Sequence, residues 1–381
     1  MPAAGPFTAE LDGRIAYQGN RLFQPVPDIR VEKPHPAPWG DVATILSRRE
    51  YVRHLALIDS QVFRTATSYL SDTAQALWAN LPLTTKMISS PGAVYRGQQL
   101  NYTTDTLPLE IPDWFSTGER VFLSESSQLY LELLIAGSDV ERAFSIYNSF
   151  RKERSDFSHL TEFQHIEFEG KLGLSDLKKI IGNLVDRIIV DLLENCPESL
   201  LYFLRDDQIV DLEASFSTRL NTLTFEDAMR HLARSTGKSK YQELSLANFG
   251  AWEEIYLTDL VGGHLCVEGF PLLQIPFYHA ESDAGGAARR AKNADVIFSG
   301  YREVVGAGER IKSKEALLEK ARIFHLPMED YEPYLISRDL PDYQTTSGFG
   351  LGWQRLLQWV LKVPTIADAT VFPRTHLLPH P

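Results

Sequence analysis

The stretch that decides the fold of this chain reads Ser347-Gly348-Phe349-Gly350-Leu351-Gly352-Trp353-Gln354-Arg355-Leu356. Glycine occupies every second position up to Gly352, and a run spaced in this way lets the backbone come close to another group. We predict that a helix starts after Gly352 and presents Arg355. Further along, the chain reads Phe372-Pro373-Arg374.

A second cluster, far upstream, combines charge with an aromatic ring. It reads Phe150-Arg151-Lys152-Glu153-Arg154 and continues with Ser158-His159-Leu160-Thr161-Glu162-Phe163. An arginine at a strand end suits phosphate, because its planar guanidinium donates two parallel hydrogen bonds. A charge cluster alone is more often a solvated surface. Together with the glycine run, this cluster predicts two arginines and an aromatic ring around a nucleotide.

The run from Phe163 to Glu169 alternates like a strand. A period of two puts Phe163, His165 and Glu167 on one face, which aligns an aromatic ring, a titratable group and a carboxylate. The alternative is a half-buried strand with a polar solvent face. His165-x-Glu167 is also a fragment of the zinc deaminase pattern, but the sequence contains no CxxC, and we reject that metal site.

A third segment, Asp295 to Arg310, holds two carboxylates on either side of a glycine turn. Asp295 and Glu303 could converge there on Mg²⁺ together with phosphate oxygens, since this ion is usually bound through one or two carboxylates and phosphate. A plain hairpin with acidic ends explains the same residues equally well. The segment alone leaves both interpretations open.

The composition is that of a soluble globular protein, with 44% hydrophobic and 23% charged residues in 381. The net charge of −12 and the pI near 5.4 argue against a broadly basic surface for nucleic acid. Two cysteines, Cys196 and Cys266, make neither a disulfide framework nor a zinc site. No secretory signal is visible, and charge and proline interrupt the most apolar stretch, 262–278, so we expect a cytoplasmic protein without a membrane span.

The order of the predicted elements favours an α+β fold. Residues 1–45 are rich in proline and are typical of an extended arm with one hairpin. Helical stripes cover 43–78 and 176–195, and Thr224 is a predicted N-cap. The predicted strand-like runs are 86–89, 120–123, 143–147, 265–279, 294–306 and 333–337. Strands interrupted by helical insertions, without regular βαβ alternation, favour a mostly antiparallel sheet.

Three motifs carry a resemblance to a known family: FRxE…HLxEF from Phe150, ExxGxxxR from Glu303, and GFGLGxxR…FPR from Gly348. In them the chain resembles the catalytic domain of class II aminoacyl-tRNA synthetases, most closely the asparaginyl/aspartyl branch. The resemblance covers about residues 46–375, and we assign 46–381 to this domain and 1–45 to the arm. It implies an antiparallel sheet flanked by helices, a homodimer, and bent ATP bound with Mg²⁺. The implied reaction is attack of a carboxylate on the α-phosphorus, giving an acyl-adenylate and pyrophosphate.

The same resemblance implies roles for individual residues. Arg151 would hold the α-phosphate, Phe163 would stack on adenine, and Arg355 would lie near the adenine and γ-phosphate. Arg151 and Arg355 are therefore the candidate catalytic residues. The remaining candidates are Glu153, His159, Glu303 and Gly352 for ATP, Asp295 and Glu303 for Mg²⁺, and Ser126, Gln128, Glu167 and Arg310 for the amino acid.

The candidate amino-acid pocket looks suited to an amide. An arginine donor and a glutamate acceptor match the C=O and NH₂ of a primary amide. Aspartate-specific members of the family carry a lysine where this chain has Leu131, and without that cation an aspartate side chain is disfavoured.

The chain departs from the family pattern at several positions. Pro91 replaces the glutamate that holds the α-ammonium, Ser158 replaces an arginine before His159, and Ala367 replaces an arginine before Asp368. An arm of about 45 residues is too short for the five-stranded barrel that binds the anticodon. With a net charge of −12, tRNA recognition has no evident basis in the sequence.

Three functions stay open at this point. The first is an ATP-dependent enzyme that activates an asparagine- or aspartate-like amino acid and transfers the acyl group to ammonia or another small nucleophile, as ammonia-using asparagine synthetases do. The second is an asparaginyl-tRNA synthetase-like enzyme that keeps tRNA as acceptor. The third is a non-catalytic regulatory subunit, which the retained arginines and carboxylates disfavour.

Overall fold

The structure is a computed structural model that describes residues 5–23, 47–89, 108–113, 118–153, 155–214, 216–283 and 289–375. Its strands are β1 (Phe7–Ala9), β2 (Ile15–Tyr17), β3 (Asn20–Phe23), β4 (Leu77–Trp78), β5 (Thr84–Thr85), β6 (Leu109–Ile111), β7 (Val121–Leu123), β8 (Arg142–Phe150), β9 (Glu162–Gly170), β10 (Leu220–Thr224), β11 (His264–Glu268), β12 (Asn293–Ile297), β13 (Glu303–Glu309) and β14 (Ser347–Gly352).

The α-helices in the same residues are α1 (Arg49–Ser68), α2 (Gln128–Ala136), α3 (Leu174–Asn195), α4 (Pro197–Phe203), α5 (Asp206–Glu213), α6 (Phe225–Thr236), α7 (Ala251–Val261), α8 (Lys314–Ile323), α9 (Met328–Ile336) and α10 (Trp353–Val360). In the part of the chain that is described, no helix is both long and apolar enough to cross a membrane.

An eight-stranded sheet forms the centre, in the order β10-β11-β12-β13-β14-β9-β8-β4. Only the outermost pairs, β10 with β11 and β4 with β8, are parallel, and the five pairs between them are antiparallel. The prediction of an α+β fold with a mostly antiparallel sheet is confirmed. The antiparallel ladder matters for function because directly paired residues present their side chains on the same face of the sheet.

One face of the sheet packs on α3. The apolar stripe of this helix, with Leu177, Ile181 and Leu184 among its buried residues, reflects the predicted period of 3.6. Phe349 of β14 is buried on this face and stacks on Phe168 of β9, with ring centroids 5.5 Å apart. The large apolar residues of the central strands thus pack into the core on this face, and the opposite face does not contribute to that packing.

The residues of the arm that are described, 5–23, form a small antiparallel sheet of β1, β2 and β3. Phe7 is fully buried, with its ring 4.8 Å from that of Tyr301 and 5.3 Å from that of Phe157. This small sheet therefore packs against the two loops that carry Tyr301 and Phe157. The predicted domain boundary at residue 45 lies outside the described residues and stays a prediction.

Several local predictions are wrong. Residues 86–89 form no strand, because the Thr85 hydroxyl bonds both the amide and the carbonyl of Met87 and the chain turns after β5. Of the run predicted at 265–279, only the part up to Glu268 is a strand, because the chain leaves the sheet at Gly269, whose φ is positive. Residues 333–337, predicted as a strand, belong to α9 and the turn after it, because Tyr331, Tyr334 and Leu335 share one helical face that packs into a second core with Phe277. The helical stripe predicted over 43–78 ends earlier, and Leu77–Trp78 pair with β8 as an edge strand. The helix at 176–195 and the N-cap at Thr224, whose Oγ1 accepts from the Asp227 amide, are confirmed.

Candidate active site

The face of the sheet opposite α3 is lined by glycine in its central two strands. Gly306 pairs with Gly350 and Gly308 with Gly348 across β13 and β14. A Cβ added at Gly350 would lie 3.6 Å from Glu167 Oε1. We call the surface formed by Gly306 and Gly350 the glycine face. Because neither of these two residues carries a side chain, a flat ligand can come close to the backbone there, whereas Gly348 is covered by Glu169 and Arg310 and Gly308 by His279.

One row of paired residues crosses this face on four adjacent strands. It runs from Asp295 through Gly306 and Gly350 to Glu167. With neighbouring strands about 4.8 Å apart, the two carboxylate-bearing residues at its ends are separated by roughly 14 Å at the backbone. The glycine face therefore joins the candidate metal ligand to the candidate substrate ligand, and both sides of it are acidic.

Arg151 stands where β8 ends. Its backbone amide donates to Thr161 O at 2.9 Å, which fixes the residue against the start of β9. Its guanidinium carbon lies 5.2 Å from the centre of the Phe163 ring, and its Nη1 is 4.0 Å from Glu153 Oε1. The Nε of Arg151 is buried and has no hydrogen-bond partner within the described residues. A half-buried arginine with a spare donor beside an aromatic ring is an arrangement that can hold a nucleotide phosphate.

Phe163, His165 and Glu167 lie along one face of β9, as their spacing predicts. The rings of Phe163 and His165 meet edge to face at 4.9 Å, and His165 Nδ1 is 3.8 Å from Glu167 Oε1. Burial, followed by the charges of Arg151 and Arg355, lowers the pKa of His165 well below its usual value. The imidazole is therefore neutral at physiological pH, and its Nδ1 pairs with Ser149 Oγ at 2.7 Å.

Arg355 lies in the first turn of α10, directly after the glycine run. Its Nε donates to Ser158 O at 3.1 Å and its Nη1 to Glu303 O at 2.8 Å. Burial and then the positive charge of Arg302 lower the pKa of Arg355. The guanidinium is thus held by two carbonyl oxygens and feels like-charged neighbours, which favours binding of an anion.

Asp295 and Glu303 form a pair of carboxylates next to the arginines. Burial, with the added charges of Glu303 and Glu254, raises the pKa of Asp295 well above its usual value. Such a shift means that burial and the neighbouring carboxylates disfavour the ionised form of Asp295, and that a bound cation would favour it. Among the described residues no group of three or more His, Cys, Asp or Glu side chains could hold a metal ion. The pair still fits Mg²⁺, which commonly takes one or two carboxylates and completes its shell with phosphate and water.

The candidate amino-acid end is a network of hydrogen bonds around Glu167. Ser126 Oγ donates to one carboxylate oxygen at 2.5 Å, and the Ser127 amide donates to the other at 2.6 Å. Burial raises the pKa of Glu167, although these hydrogen bonds oppose the rise. The carboxylate is fixed in place by the loop that begins α2.

Arg310 is fully enclosed and contacts Glu169 and Gln128. Its Nε and Nη2 donate to the two oxygens of Glu169 at 3.1 and 2.7 Å, and its Nη2 also donates to Gln128 Oε1. Burial alone would lower the pKa of Arg310, but the charge and hydrogen bonds of Glu169 raise it instead. Arg310 and Glu167 therefore have different hydrogen-bond partners. Arg310 pairs with Glu169 and Gln128, and Glu167 accepts from Ser126 and from the Ser127 amide.

Gly348 explains why Glu169 and Arg310 can meet. A Cβ at this position would lie 1.8 Å from Glu169 Oε2 and 2.6 Å from Arg310 Nη2. The ion pair thus lies directly over the backbone of Gly348.

Contacts link the predicted residues in two groups. The first consists of Arg151, Glu153, His159, Phe163, Gly352, Arg355, Asp295 and Glu303. The second consists of Ser126, Gln128, Glu167 and Arg310. His159 Nδ1 lies 2.9 Å from Asp156 Oδ1. Leu131 is buried in an apolar cluster with Ile135 and Ala143, so this chain has no cation at the position of the lysine in aspartate-specific members of the family. Pro91, the predicted departure at the α-ammonium, lies outside the described residues.

Three charged residues of the site were not predicted: Glu169, Glu254 and Arg302. Glu169 carried a usable signal, because it has the same parity as Glu167 on one strand. Arg302 adjoins Glu303, but nothing in its neighbourhood shows where its side chain points. Glu254 comes from α7, about fifty residues earlier, and only the packing of that helix brings it to the site.

Comparisons with known proteins point to one family. A family model described as class II tRNA synthetases (D, K and N) matches residues 46–376. The asparagine–tRNA ligases of Pyrococcus abyssi and Thermococcus kodakarensis are each 34% identical to the chain over 261 and 259 residues. The matches cover 67% of this chain and 56% and 57% of those relatives, so the chain spans little more than half their length.

Solved structures give the same answer for the fold. The asparaginyl-tRNA synthetase of Pyrococcus horikoshii complexed with asparaginyl-adenylate superposes with a TM-score of 0.73 at 26% identity, covering 93% of this chain and 80% of that one. The Entamoeba histolytica asparaginyl-tRNA synthetase in complex with asparaginyl-adenylate gives 0.74 at 20% identity, covering 93% and 73%. At the second level of identity the likeness concerns the fold alone.

Proposed function

Because the chain belongs to the class II tRNA synthetases of the D, K and N group, we propose that it uses ATP to convert an asparagine-like amino acid into its acyl-adenylate. The observation that carries the proposal is the glycine face, which has the Arg151 and Phe163 pair at one end and the Glu167 and Arg310 network near the other. An adenylate joins a nucleotide to an amino acid, and this surface is lined by candidate ligands for both.

In the proposed reaction, Phe163 stacks on adenine and Arg151 donates to the α-phosphate. Arg355 lies near the adenine and γ-phosphate. One oxygen of the amino acid's carboxylate attacks the α-phosphorus, the bond from that phosphorus to the bridging oxygen breaks, and pyrophosphate leaves. The arginines neutralise charge that builds up on the phosphate oxygens, and the glycine face aligns the reacting groups.

Glu153 and His159 line the nucleotide in this proposal, and Gly352 keeps the backbone close to it. Asp295 and Glu303 would hold Mg²⁺, which when bound would add further neutralising charge on the phosphates. The mutual repulsion of Asp295 and Glu303 supports this assignment, because a cation bound between them would relieve it.

The substrate side chain is proposed to be a primary amide. Glu167 supplies an acceptor whose orientation is fixed by Ser126 and the Ser127 amide. Arg310 supplies donors, with Gln128 beside it. A carboxylate side chain would face Glu167 without the lysine that neutralises it in aspartate-specific enzymes, because Leu131 stands there in an apolar cluster.

For the acceptor we propose tRNA first, because relatives 34% identical to the chain are asparagine–tRNA ligases. A small nucleophile such as ammonia is the second candidate, and the net charge of −12 favours it. We further propose a homodimer. Leu77 and Trp78 of the edge strand β4 are 59% and 60% exposed, and Phe63 of α1 is 51% exposed, so these two elements offer apolar surface to a second copy of the chain. A cytoplasmic location remains an expectation.

Amino-acid-dependent exchange of pyrophosphate into ATP tests the activation step. Exchange with asparagine, above that with aspartate, is the expected result. Absence of exchange with every amino acid, together with failure to bind ATP, would refute the proposal.

The acceptor is tested separately by following AMP release. Asparagine with total tRNA is compared with aspartate plus ammonium chloride, and with asparagine alone. Binding of total tRNA at low salt is measured in parallel. No binding and no tRNA-dependent AMP release would remove tRNA and leave the small nucleophile.

A further inference from the structure

Arg302 lies in the turn between β12 and β13, immediately before Glu303. Its Nε and Nη2 donate to the two carboxylate oxygens of Glu254 at 3.2 and 3.1 Å, and both side chains are largely buried. Burial alone would lower the pKa of Arg302, but the charge and hydrogen bonds of Glu254 raise it. This is a two-point ion pair between α7 and the sheet, and such pairs fix orientation as well as charge.

The remaining nitrogen of Arg302 reaches the candidate nucleotide loop. Its Nη1 donates to Ser158 Oγ at 3.0 Å and lies 3.3 Å from His159 Nε2. On the other side of the ring, His159 Nδ1 lies 2.9 Å from Asp156 Oδ1, so the imidazole is held between Arg302 and Asp156. One guanidinium thus contacts both Ser158 and His159 and helps to fix the position of the imidazole.

The same ion pair holds Glu303. Oε2 of Glu254 accepts the backbone amide of Glu303 at 2.8 Å, and Arg355 donates to the carbonyl groups of Glu303 and Ser158. The backbone at Ser158 and Glu303 is therefore clamped from two sides. Arg302 and Arg355 join the loop before β9 to the start of β13.

Related synthetases carry an arginine at the position of Ser158, and this chain does not. Ser158 is 1% exposed, so its short side chain ends inside the protein, and the guanidinium of Arg302 contacts it there from the neighbouring turn. We propose that Arg302 replaces that arginine as a positioning residue for ATP. It holds His159 by direct contact, and it holds Glu303 through Glu254. This role rests on the proposed adenylate-forming function.

The test must separate positioning from stability, because removing Arg302 alone leaves Glu254 buried without its partner and can unfold the protein. The main variant is therefore Glu254→Gln with Arg302→Met, which removes both charges. A triple variant adds Ser158→Arg to these two substitutions. Arg302→Lys keeps the charge without the fork, and Arg230→Met, at an exposed arginine that pairs with Asp227, is the matched control.

Each protein is measured by circular dichroism on heating, by calorimetric titration with ATP and Mg²⁺, and by pyrophosphate exchange. The double variant is expected to raise the KM for ATP at least about tenfold, the loss of roughly one charge-assisted hydrogen bond, while the KM for asparagine changes little. The single variant Arg302→Lys is expected to show a smaller rise in the KM for ATP than the double variant does. Adding Ser158→Arg to the double variant is expected to lower its KM for ATP again. The control is expected to behave as the wild type.

Several outcomes would overturn the inference. One is a folded double variant that binds ATP as the wild type does, and another is a lowered melting temperature with unchanged KM for both substrates. A triple variant no better than the double would overturn the replacement of the missing arginine. If the wild type itself binds no ATP, the proposed function fails instead, and the two failures are thereby distinguished.

Discussion

Gly350 offers the sharpest test of the glycine face, because a single methyl group can be added there without disturbing the fold. A Cβ at Gly350 would meet its nearest atoms, Oε1 and Cγ of Glu167, at 3.6 and 3.8 Å, which are ordinary contacts. The residue lies in a strand and has no positive φ, so alanine fits its backbone. Gly350→Ala should therefore change the free energy of unfolding by less than about 1 kcal/mol, with a gain as the expected sign.

Catalysis should respond differently. The new methyl group would rise from the middle of the row between Asp295 and Glu167, where we place the substrates. Forcing an extra methyl group into a fitted interface costs about 1–3 kcal/mol, which corresponds to a rise of roughly 5- to 150-fold in KM. The assay is pyrophosphate exchange at varied ATP and varied asparagine, alongside denaturant unfolding.

Two further variants make the result interpretable. Gly348→Ala would place its Cβ 1.8 Å from Glu169 Oε2 and 2.5 Å from Phe168 O, so it must disrupt the buried pair with Arg310 and destabilise the fold by about 3–5 kcal/mol. Gly173→Ala has nothing within 4 Å and controls for the substitution itself. A stable Gly350→Ala variant with wild-type KM for both substrates would refute the claim that the glycine face holds them.

Three other predictions follow from the site and the core. Arg151→Ala and Arg355→Ala should each abolish exchange, because each removes a cation beside the phosphates; substantial residual exchange in either would contradict its role. Burial lowers the pKa of His264 to about 3, and its Nδ1 accepts from the Ser299 amide at 3.0 Å. The unfolded chain then binds a proton below about pH 6.5 that the folded one does not, so this residue should cost up to about 1.4 kcal/mol of stability per pH unit down to about pH 3. His264→Asn should lessen that loss in denaturant titrations at pH 7.5 and 5, and a difference from wild type that does not change with pH would count against it. Trp78→Glu should shift sedimentation of the proposed dimer toward the monomer, whereas Leu201→Glu, a matched exposed apolar residue on α4, should not; equal behaviour would remove β4 from the interface.

Local structure was predicted well where a few consecutive residues determine which face a side chain lies on or where a helix begins. The parity of Phe163, His165 and Glu167, the helix after Gly352 and the N-cap at Thr224 each depend on a few consecutive residues. The strand predicted at 333–337 failed because the window was too short to include Tyr331, which reveals the helical period. Leu77 and Trp78 continue a helical stripe in sequence but pair with β8, because edge pairing overrides local propensity.

The sequence by itself determined which residues share the face of each strand, and its three motifs determined the family. Those features follow from the period of two along a strand and from residue identity, and both can be read without coordinates. Only the tertiary structure decided the partners: Glu169 for Arg310, and Glu254, from a helix far away in sequence, for Arg302. The reason is that strand register and helix packing bring together side chains from distant segments, and a buried charge takes whichever opposite charge that packing supplies.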